Sequence, residues 1–501
     1  MERVKQFCVD IYANKVFKLV LLALFCLFLA CLSKDYDYDL YARLIVGERF
    51  VEAGILPFQD FLSYTPTHDW YDHEWGSGVV FYSMLKLFGP FGLVLTHALT
   101  TFVTLLFVLK IQTLQNKAYP FTFGFTVLFL SLFAHLNPSV VRCHMFSFMF
   151  FAITLYVLEK TRVKNSNLIW ILPPMMIVWN NLHGGVVSGI GMIFVYLVSS
   201  IVTKQKWAKY FYVLLLSGMV LIINPYGYKY LEFLISANTK QRTYITEWWF
   251  ALASRHSLYY FPSVAMGLFT FLISIFALKK FRQNFIKFAI LLLTLYLGFM
   301  HVKLVSLMMI ILAGFFYTDI MKLFDKKFIR YFEKITFVCL LICILMIPYK
   351  KPMMEKVDIT KFPVLETEFI RINNIKGNIL TTFGLGSYVS YKLYPQNLIY
   401  MDGRYEEVYN DEEFNNLMDY ELVNDNWDVV LRKYPTEILM PSKQVPVYEH
   451  LLKQPDWVLV YEGDVCGVFL KSNRLKSFIY PTKDIKYYQK TAFENFGKFG
   501  E

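Results

Sequence analysis

The chain has 501 residues, of which 56% are hydrophobic and 18% aromatic, and its formal net charge is +11. A soluble chain of this length would divide into roughly two or three domains under a far more polar surface, so this composition argues against an ordinary soluble enzyme. The positive charge does not point to nucleic acid either, because the basic residues fall in short clusters between apolar blocks, as cytoplasmic loops require.

The apolar blocks have the length needed to cross a hydrocarbon layer, roughly 20 residues at about 1.5 Å each. In chain order they are expected at 16–33, 91–109, 119–136, 145–159, 168–182, 185–203, 208–223, 262–278, 285–300, 304–320 and 335–349, about eleven spans in all. The first is not a cleavable signal, because its apolar core is too long and no small-residue cleavage site follows. Arg3, Lys5, Lys15 and Lys18 precede it, which places the N-terminus in the cytoplasm. Clusters around Lys110, Lys160, Lys204, Lys279 and Lys322 then fall on the same side, provided that residues 74–89 form a membrane-surface helix. The expected fold is an α-helical polytopic membrane protein. Residues 1–349 form the transmembrane part, with an outer loop at 34–90, and residues 350–501 form a small extracytoplasmic domain. The expected location is the bacterial inner membrane. The cysteine count of 7 is odd, and the spacing suggests neither a disulfide framework nor a metal site.

The outward-facing loops are rich in ionisable and aromatic residues. The first reads Asp35, Asp37, Asp39, Tyr41, Arg43, Gly47-Glu48-Arg49 and Gly54, then Asp60 and Asp72-His73-Glu74-Trp75. Later loops carry Asn180-Asn181-Leu182-His183-Gly184-Gly185, Asn224-Pro225-Tyr226-Gly227, Glu247-Trp248-Trp249, and His301 with Lys303. Loops need only be solvated, so this concentration suggests a site, although any one of these residues can equally cap a helix. Past residue 350 the pattern changes. Short β-type runs at 378–383, 398–401, 437–440, 457–461 and 466–470 alternate with helical stretches near 387–393, 412–420 and 447–452, which reads as a small soluble α/β domain. Asp402 and Arg404 read as a structural ion pair.

These motifs, in this order, resemble the GT-C superfamily of integral membrane glycosyltransferases. The branches in question are the bacterial lipid A aminoarabinose and dolichyl-phosphate-mannose-type transferases, and more closely a group of largely uncharacterised bacterial members. Asp39 and Gly54 keep the family spacing, with Tyr41 and Arg43 on the helix between them. Gly47-Glu48, Asp60-Phe61-Leu62-Ser63-Tyr64-Thr65, His73-Glu74-Trp75, His183-Gly184-Gly185, Asn224-Pro225-Tyr226-Gly227 and Asp402-Gly403-Arg404 follow in family order. Leu40 stands where one branch has Glu, and Ile45 or Val46 where family members have Arg.

The resemblance implies an inverting transfer of a sugar from a polyprenyl-phosphate-linked donor to a glycan or lipid acceptor at the bilayer surface, with no nucleic acid involved. Such a transfer needs a carboxylate to take the acceptor proton, with Asp39 expected in that role and Asp37 second. It also needs cationic groups, His or a metal for the leaving phosphate. The candidates for binding donor phosphate or acceptor are Arg43, His73, Glu74, His183, His301 and Lys303, with Arg142, His144 and Arg242 also near expected span ends. A divalent Mg or Mn ion held by Asp39 with His73 or Glu74 is the alternative to a metal-free site. Two other functions have comparable hydropathy, an O-antigen ligase or polymerase and a lipid-linked sugar transporter or flippase. The first would place its Arg- and His-rich loop late in the chain, and the second would show repeats of spans.

Overall fold

The structure is a computed structural model that describes residues 15–31, 36–115, 141–239, 244–245, 248–249, 265, 272, 285–301, 304–322, 324–349, 357–482, 484, 487–488, 491, 493–495 and 499. The chain folds as two compact units, one made of Met1–Ser33 with Val94–Lys351 and the other of Lys34–Leu93 with Pro352–Glu501.

The first unit is helical. Helices Lys15–Cys31, Pro90–Gln115 and Lys326–Leu345 share a core of Leu22, Phe25, Cys26, Leu105, Leu109 and Leu340. His144–Lys164 carries a buried Glu159 that is paired through both oxygens with Arg162 and accepts the Tyr196 hydroxyl at 3.0 Å.

The helix lengths overturn the expected multi-pass topology. Among the described residues one helix, Pro90–Leu114, is long and apolar enough to cross a membrane, and 67% of its apolar window is buried inside the protein. The other apolar helices, Val16–Cys31, Val186–Val202, Ala208–Ile222 and Val305–Gly314, have 10–17 residues. At about 1.5 Å per residue they fall short of the roughly 30 Å hydrocarbon thickness. The sequence blocks are cut by local stops. The 168–182 block is a 3₁₀ turn, Asn167–Ile171, followed by the helix Leu172–Leu182, and the 304–320 block breaks after Gly314 before Tyr317–Met321. The two longer helices that remain, His144–Lys164 and Lys326–Leu345, run into charged residues such as Lys160 and Arg330. The expected spans 119–136 and, apart from 265 and 272, 262–278 lie outside the described residues. The polytopic fold of about eleven spans is therefore corrected to a mostly helical chain with a small mixed sheet. The inner-membrane, multi-pass location and the assignment of the two faces rested on that span count and are withdrawn with it.

The second unit contains helices α1 (Leu40–Ala53), α2 (Trp75–Phe88), α3 (Val364–Ile372), α4 (Gly386–Leu393), α5 (Tyr405–Val408), α6 (Asp411–Leu422), α7 (Val429–Lys433) and α8 (Pro446–Leu451). Its strands are β1 (Ile379–Thr381), β2 (Ile438–Met440), β3 (Trp457–Glu462) and β4 (Gly467–Lys471), arranged in the order β1-β2-β4-β3. β1 and β2 are parallel and fully buried, and helices α4 to α7 make the crossover that a parallel pair requires. β2–β4 and β3–β4 are antiparallel. The expected strand at 398–401 is reduced to bridges from Ile399 to Ile379 and to Ser63, so the 60–70 loop is joined to the sheet edge. Ile379, Val389, Ile438, Met440, Val468 and Leu470 form the core around the sheet.

α1 and α2 cross at backbone contact. A Cβ on Gly47 would overlap the Gly78 carbonyl oxygen, and one on Gly78 would overlap the carbonyl oxygen of Arg43. This crossing brings the start of α1 to the residues that lead into α2. α1 ends at Gly54, whose φ of 70° is the left-handed conformation that a helix stop of this kind favours in glycine.

Candidate functional site

The turn that leads into α1 carries the acidic pair Asp37 and Asp39. Asp37 Oδ1 accepts the Asp39 backbone N–H at 3.0 Å, which makes Asp37 the residue that turns the chain into the helix. Asp39 stands at the helix start, half-buried, and its side chain makes no capping hydrogen bond. Its Oδ1 lies against Gly403, where a Cβ would overlap it. Residue 403 therefore has to be glycine for the carboxylate to rest on the Asp402-Gly403-Arg404 turn.

One helical turn beyond Asp39, on the same face, is the buried Arg43. Its Nη1 donates to Asp72 Oδ1, its Nη2 lies 3.0 Å from both Glu407 oxygens, and its Nε is 3.4 Å from Glu74 Oε2. His73 Nδ1 is 2.8 Å from Glu407 Oε1, and its Nε2 is 3.6 Å from Glu74 Oε1. Asp72 Oδ1 also accepts the Glu74 backbone N–H at 2.8 Å, while its Oδ2, fully buried, accepts no hydrogen bond from the described residues. Burial pushes the Asp72 carboxyl upward despite the adjacent Arg43. Burial opposes the charged form of Glu407 as well, but Arg43 and His73 hold its carboxyl well below the usual range. Burial also disfavours a charged His73, yet Glu74 and Glu407 raise its imidazole to about 9. Asp72, His73 and Glu407 can each offer one ligand atom, all within 4.8 Å of one another.

A second buried arginine lies alongside. Arg404 Nε is 2.8 Å from Asp402 Oδ1, its Nη1 is 2.5 Å from Asp60 Oδ1, and its Nη2 donates to the Tyr409 hydroxyl at 3.0 Å. Its guanidinium stacks 4.5 Å above the Trp70 ring, and Trp70 Nε1 donates to Glu407 Oε2 at 3.0 Å. Trp70 thus links the two arginine clusters. Asp402 and Arg404 form an ion pair, as the sequence suggested, with Asp60 as an added partner.

Of the residues named from sequence, Asp37, Asp39, Arg43, His73 and Glu74 come together in the second unit. His183 and His301 belong to the first. His183 Nδ1 accepts the Gly185 N–H at 2.8 Å and lies 2.7 Å from Ser147 Oγ, which in turn accepts the Trp179 indole N–H. His301 Nδ1 is 2.9 Å from the Trp248 carbonyl oxygen. Asn224 Oδ1 takes the Tyr226 N–H at 2.7 Å, a turn contact. Lys303, Arg242 and Asp35 lie outside the described residues. The metal set suggested from sequence grouped Asp39 with His73 or Glu74, whereas the ligand atoms that converge on His73 are those of Asp72 and Glu407. Glu407 was missed, and its only sequence signal is a charged stretch directly after Asp402-Gly403-Arg404. Lys361 was also missed. It stands half-buried over the Tyr38 ring at 4.8 Å and donates to the Tyr36 carbonyl at 2.8 Å. No protein-family model matches this chain, and no curated protein matches it.

Proposed function

We propose that the second unit transfers a sugar from a polyprenyl-phosphate-linked donor to a hydroxyl of a glycan or lipid acceptor. Asp39 is the general base. The acceptor O–H proton passes to the Asp39 carboxylate as its oxygen bonds to the anomeric carbon, and the bond from that carbon to the phosphate breaks with its electron pair leaving on the phosphate. Lys361, which stands over the ring of Tyr38, the residue before Asp39, is assigned to meet the leaving phosphate. The observation that carries the reading is the half-buried Asp39 at the head of α1, whose carboxylate rests on Gly403.

The test compares glycans and glycolipids, by mass spectrometry, from cells with and without the chain, and then from cells complemented with Asp39→Asn or Asp37→Asn. A glycan that depends on the chain is expected to disappear with Asp39→Asn, with turnover reduced by about 10² to 10⁴, and to persist with Asp37→Asn. An unchanged glycan profile on deletion, or full rescue by Asp39→Asn, overturns the proposal.

A further inference from the structure

The geometry points to a divalent transition-metal site, for Zn²⁺ or Mn²⁺, built by Asp72, His73 and Glu407. The site stands apart from the proposed transfer reaction. His73 Nδ1 and Glu407 Oε1 are 2.8 Å apart. Here they form an ion pair, and a divalent ion would take the place of the proton between them, with ligands at about 2.1 Å standing roughly 3.0 to 3.4 Å apart, so only a small opening is needed. The ligand atom of Asp72 lies within the same 4.8 Å group.

A second observation is independent of that grouping. Asp72 Oδ2 is fully buried and accepts no hydrogen bond from the described residues, whereas Oδ1 takes both Arg43 and the Glu74 N–H. A buried carboxylate oxygen with no donor costs free energy that a cation would recover. His73 also has the support expected of a metal-binding imidazole. With Nδ1 turned to the ion, Nε2 lies 3.6 Å from Glu74 Oε1, a charge contact that becomes an orienting hydrogen bond on a small closure. The charges agree as well. Asp72, Glu74 and Glu407 against the single guanidinium of Arg43 leave a formal charge of −2 once the ion has displaced the His73 proton to solvent, and a divalent ion neutralises it. One imidazole with carboxylates favours Zn²⁺ or Mn²⁺ over Mg²⁺ or Ca²⁺, which prefer oxygen alone.

The full chain, stripped with EDTA and dialysed, is titrated with Mn²⁺ while free Mn²⁺ is followed by electron paramagnetic resonance, and Zn²⁺ is then added as competitor. Roughly one equivalent bound and displaced by Zn²⁺ is expected, with binding lost in His73→Gln. Because substitutions here can unfold the unit, the wild type is also treated with diethyl pyrocarbonate and mapped by mass spectrometry. Mn²⁺ is expected to protect His73 while the exposed His68 reacts as before. Absence of Mn²⁺ and Zn²⁺ binding by the wild type, unchanged labelling of His73 in saturating Mn²⁺, or full binding by a folded His73→Gln chain each overturns the site. None of these readouts depends on sugar transfer, so the site and the transfer proposal fail separately.

Discussion

Glu407→Gln tests whether the Arg43 cluster holds the second unit together. The substitution keeps the side-chain size but removes the charge and turns one acceptor oxygen into a donor. In the native unit those oxygens accept Arg43 Nη2 at 3.0 Å twice and Trp70 Nε1 at 3.0 Å, and face His73 Nδ1 at 2.8 Å. A glutamine whose oxygen takes the Oε2 place still accepts from Trp70 and Arg43, but its NH₂ at the Oε1 place then confronts Arg43 Nη2 and His73 Nδ1. At about 3 Å and an effective dielectric near 20, the lost attraction to Arg43 is roughly 5 kcal/mol, before the relief of no longer burying a carboxylate. Asp72 still holds the guanidinium, so the net loss belongs near the lower end of the range for a broken buried pair, about 3 kcal/mol. For a unit of this size that lowers the melting temperature by roughly 6–12 °C. Urea denaturation and thermal melting of the full chain, read by tryptophan fluorescence, measure it. A double-mutant cycle with Arg43→Met is the sharper assay, because Glu407→Gln should cost far less once Arg43 is gone, with a coupling of about 2 kcal/mol. A loss under about 1 kcal/mol, or additive costs across the cycle, would refute the claim that these charges stabilise one another.

Other substitutions address separate features. Glu366 is buried, its Oε1 accepts the N–H groups of Val465 and Cys466 at 2.9 and 2.7 Å, and burial raises its carboxyl to about 7 against those two donors. Its protonated form is thus favoured by folding, so its contribution is complete below the unfolded value near 4.5 and is lost as pH rises through about 7; Glu366→Gln should flatten the stability profile between these limits by up to about 1.4 kcal/mol per pH unit. Gly78→Ala drives a Cβ into the Arg43 carbonyl oxygen, so urea titration should show α1 and α2 forced apart at a cost of about 3 kcal/mol. Gly403→Ala places its Cβ on Asp39 Oδ1 and should reduce sugar transfer far more than it lowers the melting temperature.

Periodicity was informative where an element's own residues decide it. The helical stretches read near 387–393, 412–420 and 447–452 correspond to Gly386–Leu393, Asp411–Leu422 and Pro446–Leu451; the last two bury one face, while the first is buried throughout. The run at 398–401 was not a strand, because Ile399 pairs only by single bridges on either side. The span count failed for a related reason. Hydropathy registers apolar content and not helix length, and Pro173-Pro174 or the break after Gly314 shorten a block without making it less apolar. A run of apolar residues divided in this way is as compatible with the buried core of a helical unit as with a bilayer.

The site was legible up to the point where it depends on distant pairing. Arg43 stands in the run Leu40-Tyr41-Ala42-Arg43-Leu44-Ile45-Val46, every member of which is buried, and a guanidinium there requires anionic partners. Two of them, Asp72 and Glu74, are brought by the Gly47–Gly78 crossing, a short-range consequence of two small residues on neighbouring helices. Glu407 lies 364 residues away and arrives only through the β1–β2 crossover, and nothing local distinguishes it from Glu406 beside it. The burial difference does distinguish them, since Glu407 faces the cluster and Glu406 does not. Asp39 depends on the same assembly. It precedes Arg43 by one turn on α1 and rests on the residue before Arg404, so both arginine clusters fix the two surfaces that position its carboxylate. Weakening either cluster should therefore lower transfer through the placement of Asp39, even where the acid itself is untouched.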